Sequence, residues 1–104
     1  MVTQVDIGNA GERLVARALA GDGYRTNVDT RGPGSTDIEA LKPDRSLLIQ
    51  VKTAIYPNSP ANLSADELRN IRARATRLGR EAWAAGVQLD RNLAPVGNIA
   101  WQQL

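Results

Sequence analysis

At 104 residues the chain has room for one hydrophobic core and no second one, and its 42% hydrophobic and 23% charged residues are ordinary globular usage. With no Cys and no His, disulfides, thiolate nucleophiles, the usual zinc sites and every imidazole base are excluded, leaving carboxylates, Lys, Tyr and hydroxyls for any chemistry. Thirteen Lys and Arg against eleven Asp and Glu give a net charge of +2, which neither demands nor excludes a polyanionic partner.

From Gln4 to Ala20, the residues Ile7, Gly11, Leu14, Val15 and Ala18 recur at helical spacing, and Gly21-Asp22-Gly23 supplies a stop. Tyr24 to Val28 reads as a short strand, and Arg31-Gly32-Pro33-Gly34-Ser35 as a turn or loop. In Thr36-Asp37-Ile38-Glu39-Ala40-Leu41, alternation puts Asp37 and Glu39 on one face of a strand and Ile38 and Ala40 on the other. Lys42-Pro43-Asp44-Arg45 reads as a hairpin turn into Ser46 to Thr53, the most apolar stretch of the chain and a central strand on which Gln50 and Lys52 share one face.

A looser stretch from Tyr56 to Asn62 leads to Ser64-Ala65-Asp66-Glu67, which has capping-box form, so a second helix is expected to begin at Ser64. Leu68, Ile71, Ala75 and Leu78 form its apolar stripe and Gly79 its stop. Trp83 to Leu89 and Gly97 to Gln103 read as two strands joined by Asp90 to Pro95. Residues 1–104 are thus expected to form a single α/β domain, a mixed sheet flanked by helices in the order α-β-β-β-α-β-β. No apolar run approaches the roughly 18 residues of a membrane span, and the N-terminus lacks a basic segment followed by an apolar one. The expectation is a soluble cytoplasmic protein with no membrane partner.

Metal-dependent phosphodiester cleavage needs oxygen ligands for a divalent ion and a cation to stabilise developing charge. Asp37, Gln50 and Lys52 offer that combination on two strands expected to pair, and Glu39 is near enough to join them. Glu12 borders the apolar stripe of the first helix, about 60° from Val15 and about 20° from Leu19 at roughly 100° per residue, so it can face the same polar patch. Taken singly, each residue has a plainer reading: Asp37 as a loop-end cap, Lys52 as a snorkelling surface lysine, Glu12 as a solvated residue or ion-pair partner. In combination they favour a site, because an unpartnered Gln and Lys on alternate positions of an apolar strand would cost energy.

The run Gly32-Pro33-Gly34-Ser35-Thr36-Asp37-Ile38, followed after a hairpin by Leu48-Ile49-Gln50-Val51-Lys52, resembles the signature of the PD-(D/E)xK nuclease superfamily. There an Asp and an acidic-x-Lys triplet sit on adjacent strands. Gly11-Glu12 with Leu14, Ala18 and Leu19, and then Gly23-Tyr24, is similar to the first helix of archaeal Holliday junction resolvases and Mrr-like endonuclease domains. The resemblance runs from about Val5 to Leu104 and implies a restriction endonuclease-like αβββαβ core with an extra C-terminal strand. It also implies a Mg²⁺- or Mn²⁺-dependent endonuclease acting on DNA, as a homodimer. Glu12 and Asp37 would be metal-associated carboxylates, Gln50 would supply a metal-facing carbonyl oxygen, and Lys52 would be the catalytic lysine. The sequence departs from the signature at Gln50, where most members carry Asp or Glu, and a neutral amide binds Mg²⁺ more weakly.

Arg69, Arg72, Arg77 and Arg80 spread over the face opposite the apolar stripe of the second helix, with Arg74 near its edge. They read equally as a solvated face or as a phosphate-backbone contact, in which Arg69 and Arg72 would take part. Arg31, beside the Asp37 loop, is the better placed phosphate contact. Tyr24, Trp83 and Trp101 read as core or interface residues, and the last strand as an edge that a second copy would cover. Two other functions stay open: a catalytically silent nucleic-acid-binding or protein-interaction module on the same fold, and a structural domain whose polar residues form a satisfied buried network.

Overall fold

A computed structural model describes residues 2–29 and 37–104, with Asp29 and Asp37 described at the backbone. Helix α1 (Gln4–Gly21) opens on a capping box in which Thr3 Oγ1 accepts the Asp6 N–H at 3.1 Å and Asp6 Oδ2 accepts the Thr3 N–H at 2.9 Å. These bonds satisfy donors that the first turn of a helix leaves unpaired. The stripe it buries is Gly11, Val15 and Leu19. Ala18, expected on that stripe, is exposed, because the i, i+4, i+8 row through Gly11 carries the contact.

Three strands follow as an antiparallel meander, β1 (Arg25–Asp29), β2 (Asp37–Lys42) and β3 (Arg45–Ile55). Helix α2 (Ala65–Leu78) then crosses over and returns the chain as β4 (Glu81–Leu89), parallel to β3, and β5 (Ala100–Gln103) lies antiparallel on the edge of β4. A parallel return needs a crossover of this kind, which a tight turn cannot supply. The sheet order is β1-β2-β3-β4-β5, a mixed sheet with α1 packed on one face and α2 on the other.

The two covered faces explain why β3 reads as an unbroken apolar run. Leu47 and Ile49 enter the cluster under α1 with Val15, Leu19, Ile38 and Val87, whereas Leu48 enters the cluster under α2 with Ile71, Ala75 and Ala82. Each fully buried aliphatic side chain contributes about 1.5–3 kcal/mol. Ser64 is the N-cap of α2, and Gly79 ends the helix in the left-handed region at φ 67°, as expected from the sequence.

Some boundaries differ from the expectation. β3 continues past Thr53 because Ala54 and Ile55 pair with Gln88 and Leu89. β4 starts ahead of Trp83 because Arg45 clamps Glu81 with Nε to Oε2 at 2.9 Å and Nη2 to Oε1 at 3.0 Å, holding the start of β4 against the start of β3. β5 begins only at Ala100, since Gly97 at φ 71° is outside strand geometry. Leu78, expected on the apolar stripe, is 45% exposed, because Ile71 and Ala75 already cover Leu48 and Ala82. Tyr24 is buried, with Lys42 Nζ 4.2 Å from its ring centroid, whereas Trp101 on the edge strand is exposed. Among the described residues no helix is long and apolar enough to cross a membrane.

Candidate active site

Alternation along β3 turns Gln50 and Lys52 to the α2 face, the face of Leu48. Both reach one atom there. Gln50 Nε2 donates to Glu67 Oε2 at 2.8 Å, and Lys52 Nζ donates to the same oxygen at 2.7 Å. Gln50 is 4% exposed, and a buried amide left without a partner would cost about 1–3 kcal/mol. The bond to Glu67 removes that cost and explains how an amide sits in the middle of an apolar strand.

Glu67 is itself held by the start of α2. Its Oε1 accepts the Ser64 N–H at 2.9 Å while Ser64 Oγ accepts the Glu67 N–H at 3.1 Å. Burial raises the carboxyl pKa, but the hydrogen bonds from Lys52 and from the Ser64 backbone outweigh it and hold the group below its ordinary value. Glu67 is therefore ionised at neutral pH. In the sequence Glu67 reads only as a cap. The signal that would have found it is its spacing: Glu67, Ile71 and Ala75 form an i, i+4, i+8 row, so the glutamate shares the face that α2 lays on the sheet.

Asp37 begins β2 at the backbone position paired with Gln50, which places it in the next strand beside the Gln50–Lys52 pair. Glu12 comes from the opposite helix. A β-carbon on its neighbour Gly11 would fall 1.9 Å from Thr53 Oγ1 and 3.0 Å from Thr53 Cβ and Cγ2. Only glycine allows α1 to lie this close to the end of β3. The approach brings Glu12, half-buried, into a cleft of roughly 490 Å³ that is also lined by Gln4, Gly8, Gln50, Lys52 and Thr53. Glu12, Gln50 and Lys52 all line this cleft.

Other expected participants lie elsewhere. Glu39 faces Arg80, whose Nη1 is 2.8 Å from Glu39 Oε1 with the two side chains 17% and 25% exposed. The contact is charge against charge, since that nitrogen has no aligned acceptor among the described residues. Glu39 is thereby engaged away from Gln50 and Lys52. Arg80, expected on the solvent face of the helix, lies beyond the Gly79 cap and is drawn inward by this pair. Arg69 forms an i, i+3 ion pair with Asp66. Arg72 and Arg77 are exposed and make no ion pair with a described carboxylate. Arg31 lies outside the described residues.

Among the described residues, no group of three Asp or Glu side chains is close enough to hold a metal ion. The donors gathered at the cleft are all oxygens, from the Glu12 carboxylate and the Gln50 amide, with Asp37 adjoining in register. Oxygen donors suit a hard cation such as Mg²⁺ or Mn²⁺.

A solved structure similar to this chain is Hjc of Archaeoglobus fulgidus, a Holliday junction resolvase from an archaeal hyperthermophile. The two superpose with a TM-score of 0.69 and 25% sequence identity over 92% of this chain and 71% of that one. With the five-stranded mixed sheet and its two flanking helices, this likeness gives the chain a restriction endonuclease-like fold. No protein-family model and no curated protein matches the sequence.

Proposed function

We propose that the protein is a metal-dependent endonuclease that cleaves phosphodiester bonds of DNA, with selectivity for branched structure. The observation that carries the reading is the convergence of Gln50 and Lys52 on one carboxylate beside Glu12 and Asp37, in a fold shared with a Holliday junction resolvase. Asp37 and Glu12 would hold Mg²⁺ or Mn²⁺, with the Gln50 amide oxygen completing the set. Bound there, the ion would polarise the scissile phosphate and lower the pKa of a water. Lys52, tethered at 2.7 Å by Glu67, has its ammonium held at the cleft, where it would stabilise charge developing on the phosphate. Arg69 and Arg72 on α2, with Arg31, would contact the phosphate backbone irrespective of sequence.

The same reading includes pairing with a second copy through β5, an edge strand whose residues are all exposed and which carries Trp101. Sedimentation of the purified chain tests it: a dimer is expected, and a monomer at all concentrations would remove it.

Cleavage of four-way and linear DNA with Mg²⁺ or Mn²⁺ tests the activity. Cutting by the wild type, and cutting about 10²–10³-fold slower by Lys52→Ala, is the expected result. A second reading has one observation in its favour: Lys52 is already paired with an ionised carboxylate. A silent binding module would bind DNA with and without Lys52→Ala and cut nothing.

A further inference from the structure

Glu67 does more than cap α2. Its two oxygens have separate partners, Oε1 the Ser64 N–H at 2.9 Å and Oε2 both Gln50 Nε2 at 2.8 Å and Lys52 Nζ at 2.7 Å. A capping box needs only the first of these. The second oxygen joins the helix to residues 17 and 15 positions earlier in the chain, both on β3.

We propose that Glu67 is the positioning residue of the cleft: its Oε2 fixes the rotation of the Gln50 amide, so that Gln50 Oε1 is presented as an oxygen ligand, and it tethers the Lys52 ammonium alongside. The inference rests on the reading of this cleft as a metal-dependent site and adds the group that makes a neutral amide serviceable in it.

Donors and acceptors decide which way the amide faces. An ionised carboxylate only accepts, so the atom of Gln50 that faces it is the NH₂ group. The carbonyl oxygen of the amide is then on the other side, free of Glu67. Half a turn about the last side-chain bond would set that oxygen against Glu67 Oε2 with no proton between them. It would also strand the NH₂ of a side chain that is 4% exposed. A glutamate at position 50 would set two carboxylates against each other at the same short range. Gln50 and Glu67 are chemically matched, and the matching accounts for the departure from an acid at position 50.

Glu67→Gln is the discriminating variant. Glutamine at this helical position still caps Ser64 through its oxygen, which leaves its NH₂ facing Gln50 Nε2 and Lys52 Nζ. Three donors then meet with no acceptor, and Gln50 turns its oxygen inward. The expected results, on the full chain, are a 10–100-fold loss of Mn²⁺ affinity by calorimetry, the usual range for losing a residue that orients a ligand, and displaced Gln50 side-chain amide signals in metal-free ¹H–¹⁵N spectra. Ser64→Ala, which removes the capping hydroxyl and spares Glu67 Oε2, is the control: it lowers Tm and leaves both readouts in place. Unmoved Gln50 signals, or Mn²⁺ affinity within two-fold of wild type, would overturn the proposal. If the wild type binds no Mn²⁺ with or without DNA, the metal reading is lost, and the Gln50 signals alone decide for or against Glu67 as the positioning residue.

Discussion

Gly11 of α1 lies so close to Thr53 of β3 that a β-carbon on the glycine would fall 1.9 Å from the threonine hydroxyl oxygen. Rotating Thr53 does not fully relieve this, because its Cβ, which does not move, would still be 3.0 Å away. Gly11→Ala is therefore expected to destabilise the fold by about 1–3 kcal/mol through overpacking, against a helix-propensity gain of about 1 kcal/mol. Urea unfolding checks this. Thr53→Ala in the same chain should restore part of the loss, and a Gly11→Ala protein as stable as wild type would show that α1 can move away from β3 without penalty.

Removal of Lys52 separates chemistry from folding. Lys52→Ala is expected to lower cleavage of branched DNA by about 10²–10³-fold, the cost of losing one group aimed at developing charge. Its Tm should change little, because the Lys52–Glu67 pair is partly exposed and Gln50 still donates to Glu67. Parallel rate and melting measurements read both. Equal cleavage by the two proteins would exclude Lys52 from the reaction.

Glu67 also sets a pH dependence. Its carboxyl is held below the ordinary 4.5 in the folded chain, so the folded state binds the proton less readily than the unfolded one. The stability it contributes is fully present above the ordinary value and is lost as pH falls through the lowered one. Urea midpoints measured from neutral pH downward should decline in wild type across this acid range. The decline should be shallower in Glu67→Gln, and identical slopes would remove Glu67 from the linkage.

The arginine face of α2 gives a prediction in salt. If Arg72 neutralises a DNA phosphate, Arg72→Ala should reduce the slope of log affinity against log salt concentration by about one, and weaken binding alike for all sequences. Arg69 is exposed but shared with Asp66, so Arg69→Ala should change the slope less. Fluorescence titrations over a range of salt concentrations measure both slopes, and a slope unchanged by Arg72→Ala would return that residue to the solvated face.

Much of this architecture is legible in the sequence because it is local. The capping box at Ser64 and Glu67, the left-handed stop at Gly79 and the alternation of Ile38 and Ala40 with Glu39 each depend on residues within one turn or along one strand. Gln50 and Lys52 stood out for the same reason, as polar positions in a strand whose neighbours are apolar on both faces.

What the sequence determined by itself was the order of elements, their caps and the residues that break an apolar pattern, since periodicity and capping are satisfied within a few positions. Only the tertiary structure decided which polar groups meet. Glu67 is tied to Gln50 and Lys52, and Glu39 to Arg80, by a crossover that sets α2 and the chain beyond it against β2 and β3. The buried stripes were settled in the same way, with Ala18 left exposed beside buried Leu19 and Leu78 left exposed once Ile71 and Ala75 covered the sheet. A carboxylate's second oxygen and a helix's last turn have no local partner to declare them, so their roles depend on the element that packs against them.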